Sequence, residues 1–140
     1  MSDQRGFSLL EVLVAAALLA TALLGLAALA VRGLEDASAA RDELVASILL
    51  RDLEGRVRLT GGAGAWRTPT GPALAELAAW RGQAARRLPA GDGAVCRDTS
   101  PEDGRRGAPA CDGSGPLLAK VFWRRGGDGE ARRRTLGLEP

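Results

Sequence analysis

Gly6-Phe7-Ser8-Leu9-Leu10-Glu11-Val12 decides how this chain is read, together with the run behind it, since no residue from Val12 to Val31 carries a charge. About 20 apolar residues suffice to cross the hydrocarbon layer of a bilayer as one α-helix. A plain membrane anchor needs neither a carboxylate at its front edge nor a glycine and a phenylalanine just ahead of it. Glu11 therefore requires an account. A charge at mid-bilayer costs about 2.5–3.5 kcal/mol on insertion scales, and less near the headgroups. A carboxylate placed here either lies at the interface or acquires a counter-charge.

Two conventional readings fit less well. A secretory signal peptide has an apolar core of about 7–15 residues behind a clearly basic start. Here the run is longer, and Arg5 is set against Asp3, although Ala28-Leu29-Ala30 imitates a small-residue cleavage site. A simple signal anchor would leave Glu11 without a role. Arg5 and the terminal amine precede the run, whereas Arg32 is followed by Glu35, Asp36, Asp42 and Glu43. That asymmetry favours an N-terminus inside and a C-terminal part outside.

The combination of leader glycine, phenylalanine, glutamate four residues on and apolar helix resembles the class III signal of type IV pilins and the related pseudopilins. The resemblance implies a leader at residues 1–6 and cleavage between Gly6 and Phe7 by a membrane prepilin peptidase. It also implies N-methylation of the new amine on Phe7, and a Glu11 that pairs with the amine of a neighbouring subunit to set the register of a filament. Many pilins carry a proline that loosens the membrane helix; none stands in this run.

Beyond Val31 the pattern turns amphipathic. Leu34, Ala37, Leu44 and Ile48, then Val45, Leu49, Leu53 and Val57, form a broad stripe at helical spacing. Asp52 with Arg56, and Glu54 with Arg58, are acid-before-base pairs at i, i+4, worth about 0.3–0.5 kcal/mol each. Gly61-Gly62 ends the helix. One helix is expected over residues 7–59, with residues 12–31 in the membrane, followed by a small periplasmic headgroup at residues 60–140. Gly61 to Gly71 reads as a connection holding Trp66. Pro72 suits the start of a second helix, with Leu74, Leu77, Ala78, Ala84 and Leu88 on its apolar side and Trp80 near it. Pro89 ends that helix.

Ala90 to Gly93 reads as a turn and Ala94-Val95-Cys96 as a short strand. Arg97 to Gly115 is a loop rich in Gly, Pro, Asp and Ser. Leu117 to Arg124 alternates as a strand, with Leu117, Ala119, Val121 and Trp123 on one face and Lys120 and Arg124 on the other. Glu130 to Leu138 returns as its hairpin partner, an arginine-rich edge. The expected class is α+β: a long N-terminal helix carrying a small antiparallel sheet. Trp80, Leu88-Pro89, Gly91, Gly93, Val95 and Cys96 are similar to a segment of the PilV-type minor pilins (type IV pilus modification proteins), as are Leu23 to Leu29 and Asp52-Leu53-Glu54.

The chain has 140 residues, 46% of them hydrophobic, and a formal charge of +2. One domain is the expectation, and a polar half this small often needs a staple. Cys96 and Cys111 enclose about 15 residues, and closing such a loop is worth about 3 kcal/mol on the chain-entropy model. A disulfide is expected if that half lies outside the cytosol, and free thiols if it does not. Metal binding would need more ligands, and histidine is absent. The chain also has no tyrosine, no CxxC and no phosphate-binding loop with its lysine. Neither enzymatic activity nor a cofactor is expected.

Arg124, Arg125, Arg132, Arg133 and Arg134 read as a solvated edge, and nucleic acid is not expected as a partner. Trp66, Trp80 and Trp123 read as core anchors. The partners implied by the resemblance are the prepilin peptidase, other minor pilins and the major pilin, and the pilus assembly platform of the inner membrane. The alternatives are a minor pseudopilin of a type II secretion system and, from another class, a signal-anchored periplasmic binding module.

Overall fold

The computed structural model describes residues 8–67, 71–125 and 129–139. The chain divides into two compact units, Met1–Ser38 and Ala39–Pro140. Helix α1 runs over Leu9–Leu59 without a break. Its first part is long and apolar enough to cross a membrane, and none of that stretch is buried within the chain. Gly61 and Gly62, both with positive φ (98° and 73°), stop it, because only glycine adopts that backbone without strain.

The second unit is an α+β head. After α1 come the short helix α2 (Gly62–Trp66), helix α3 (Gly71–Arg87) and strands β1 (Asp92–Arg97), β2 (Leu117–Arg124) and β3 (Ala131–Gly137). The strands form one antiparallel sheet in the order β1-β2-β3, with Val95 opposite Ala119 and Val121 opposite Arg134. Ala46, Leu49, Leu50, Leu53 and Val57 of α1 are buried in one core with Trp66, Trp80, Ala84, Leu117, Ala119, Val121 and Trp123. All three tryptophans are core residues, as expected of them as anchors.

Several expectations need correction. Only half of the α1 stripe is used: Leu49, Leu53 and Val57 are buried, but Leu44 and Ile48 stay 62% and 48% exposed. The buried face lies a step round the helix, at Asp42, Ala46, Leu49, Leu50, Leu53 and Val57. On α3 the buried positions are Ala73, Trp80 and Ala84, while Leu74 is exposed. The connection after Gly61 holds a helical turn, α2, anchored by Trp66, whose Nε1 donates to Thr60 Oγ1 (2.7 Å). Strand β1 begins at Asp92, so Gly93 lies within a strand and not in a turn. The reason is packing: a Cβ on Gly93 would lie 2.4 Å from the Trp80 ring. Glycine is there so that the strand can pass close over the indole.

Candidate functional site

The N-terminal motif and the loop closed by the two cysteines each arrange polar chemistry. Gly6 and Phe7 lie outside the described residues. Ser8 stands just ahead of α1, and its carbonyl accepts from the N–H groups of Glu11 (3.0 Å) and Val12 (3.3 Å). Glu11 is therefore in the first helical turn, exposed, where the unpaired N–H groups and the helix dipole favour a negative charge. A counter-charge arriving from another chain could reach it there.

Within the head, Trp80 ties three elements together. Its Nε1 donates to the Leu49 carbonyl of α1 (2.8 Å), and its ring closes against Gly93 of β1. Next to it, a Cβ on Gly91 would fall 2.0 Å from the Ala84 carbonyl oxygen, and Arg124 N–H donates to the Pro89 carbonyl (2.9 Å). The spacing of Trp80, Pro89, Gly91 and Gly93 is thus one packing unit, joining α1, the end of α3 and the sheet.

Cys96 on β1 and Cys111 in the loop are joined by a disulfide, with Cα atoms 6.0 Å apart. Beneath the loop lies a group whose environment is not evident from its position in β2. Lys120, the single lysine, is fully buried, together with Asp98. Its Nζ donates to the Asp98 carboxylate, to Asp103 Oδ1 (2.9 Å) and to the carbonyls of Pro109 (3.0 Å) and Asp103 (3.3 Å). Alternation put Lys120 on the face of β2 opposite the core. That assignment holds, but the face is covered, and β2 is buried on both sides up to Trp123.

Burial pulls the Lys120 ammonium down, and its hydrogen bonds to Asp98 and Asp103 more than offset this, so it is raised above its ordinary value. Asp98 is lowered, first by Lys120 and then by the Ser100 N–H. Asp112 is also lowered, by Thr99 and Ser114, whose groups it accepts at the foot of the loop.

The hairpin arginines are not uniformly solvated either. Arg133 reaches the Gly104 carbonyl (2.9 Å) and the Glu102 carbonyl, and Arg134 pairs with Glu43 of α1 (3.5 Å). The sequence offered one signal for the buried cation, a lone lysine in an arginine-rich chain. Lysine's compact head with three donors fits a cage of oxygens, whereas a planar guanidinium does not. Among the described residues, no three Cys, Asp or Glu side chains gather as metal ligands.

In comparison with known families, residues 1–27 match the prokaryotic N-terminal methylation motif. No curated protein and no solved structure matches the chain. The motif together with the long apolar helix supports a type IV pilin-like or pseudopilin-type protein.

Proposed function

We propose that this chain is a minor pilin of the PilV type, cut between Gly6 and Phe7 by a prepilin peptidase and methylated on Phe7. The observation that carries the reading is the N-terminal methylation motif at residues 1–27, with Glu11 held in the first turn of an uninterrupted apolar helix. Before assembly, residues 12–31 lie in the inner membrane, residues 1–6 form the leader and the head stands in the periplasm. Afterwards the subunit sits in a pilus, within an initiating complex of minor pilins.

The chemistry of assembly is association and not bond-making. Cleavage frees an amine on Phe7. A Glu11 carboxylate of one subunit pairs with the Phe7 amine of its neighbour, which fixes the axial step. The apolar helices supply the attraction. Leu34, Leu44 and Ile48 are exposed on α1, apolar surface that a monomer in water would not leave open without use. The disulfide and the Trp80–Gly93 unit support the same reading, since they make a rigid small head suited to choosing neighbours outside the cytosol.

The test is a Glu11→Ala strain of the host, compared with wild type and a deletion strain. The expected outcome is loss of pili and twitching in both mutants, with the variant protein still in the membrane. Normal pili with lost enzyme secretion would make this a type II secretion pseudopilin. Normal pili and normal secretion in the Glu11→Ala strain would remove the filament reading and leave an anchored binding module.

A further inference from the structure

One cavity in the head is lined by five arginines and no carboxylate. It lies where the tip of the disulfide-closed loop meets the end of the β2-β3 pair at which Arg124 faces Ala131, and has a volume of about 140 Å³. Arg105 and Arg106 come from the loop, Arg124 from β2, and Arg132 and Arg133 from β3, with Phe122 in the wall. Arg132 is paired with Glu130 (3.0 Å) and Arg133 with Glu102 (3.4 Å). Among the described residues, the side chains of Arg105, Arg106 and Arg124 take part in no ion pair. The Nε of Arg133 is buried and has no hydrogen-bond partner. Three exposed arginines that take part in no ion pair among the described residues, and Arg133 with its orphaned Nε, thus line one small space, in a chain whose whole formal charge is only +2.

Like charges held together repel, and a buried N–H without a partner costs stability. Both costs fall if an anion occupies the cavity. A carboxylate brings one charge and two oxygens. A phosphate monoester or free phosphate brings between one and two charges near neutral pH and three or more acceptor oxygens. Guanidinium forks match those oxygens two at a time. We infer that this pocket is a binding site for a phosphate-class oxyanion. Two sources share that chemistry, free phosphate and the phosphomonoester headgroup of an anionic lipid.

The experiment is calorimetric titration of the full-length protein in non-ionic detergent, at constant ionic strength, with inorganic phosphate, with glycerol 3-phosphate and with acetate. Binding of either phosphate compound at least tenfold tighter than acetate is expected. A preference for inorganic phosphate assigns the site to the free ion, and a preference for glycerol 3-phosphate assigns it to a lipid headgroup. Arg124→Ala, and Arg105→Ala with Arg106→Ala, should each weaken binding at least tenfold while unfolding at the wild-type midpoint, because these side chains lose no ion pair. Arg86→Ala with Arg87→Ala, at the end of α3 and outside the cavity, should leave binding unchanged. Arg124→Lys keeps the charge but removes the fork and should give an intermediate loss. Equal affinity for phosphate and acetate, or equal losses in the pocket and α3 variants, would overturn the assignment.

Discussion

Lys120 shows how much one side chain can organise. Four oxygens from three loop residues, Asp98, Asp103 and Pro109, meet its single ammonium. Removing one member of a buried pair leaves the other uncompensated, which typically costs about 3–5 kcal/mol. Lys120→Met should therefore destabilise the head by about that much in denaturant unfolding, and Lys120→Arg should not restore it, since a planar fork cannot occupy a compact cage. Wild-type stability after Lys120→Met would mean that the cage contributes nothing.

The sign of the pH dependence follows from the two shifts. Asp98 is lowered from its ordinary 3.8, so its contribution is present above that value and is lost as the pH falls through the lowered one. Lys120 is raised from 10.5, so its contribution is present below that value and is lost as the pH rises past the raised one. Between these limits the pair should hold the loop at full strength. In Lys120→Met, the acid limb attributable to Asp98 should move to higher pH.

At the scale of elements, the packing of β1 on α3 and α1 depends on an absent side chain. Gly93→Ala places a methyl 2.4 Å from the Trp80 ring, and the ring cannot retreat without releasing its bond to the Leu49 carbonyl. Overpacking of this kind costs about 1–3 kcal/mol. The substitution should lower the unfolding midpoint, and the fluorescence of the Trp80 indole should report the shift. An unchanged midpoint would mean that β1 is free to lift away.

The same elements show what could be read in advance. Helix α1 was legible because charge-free length and then amphipathic spacing are local properties. Strand β2 was legible because alternation is local too. Which part of the broad stripe on α1 is buried was not, since Leu44 and Ile48 are as apolar as Leu49 and Leu53, and only the sheet's position decides which is covered. The start of strand β1 is not legible, because glycine next to Asp92 looks like a turn and only the Trp80 ring packed against it makes it a strand position. Alternation places Lys120 on the correct face, but does not show that the irregular loop just before β2 folds back to seal it, since that fold has no periodic signal. The arginine cavity was illegible because it is assembled from three separate segments.

At the scale of the whole molecule, the account joins an N-terminal methylation motif, an apolar helix able to span a membrane and a head stapled by Cys96–Cys111. A head of this kind suits a place outside the cytosol, where the disulfide persists. The central claim is that the chain is a processed filament subunit. It is tested most directly by the intact mass of the membrane-extracted protein without reduction, followed by N-terminal sequencing. The account predicts a chain beginning at N-methylated Phe7 and lighter by two hydrogens for the disulfide. A chain beginning at Met1 or Ser2 in a host with an active prepilin peptidase, or a soluble one beginning at Val31, would contradict it.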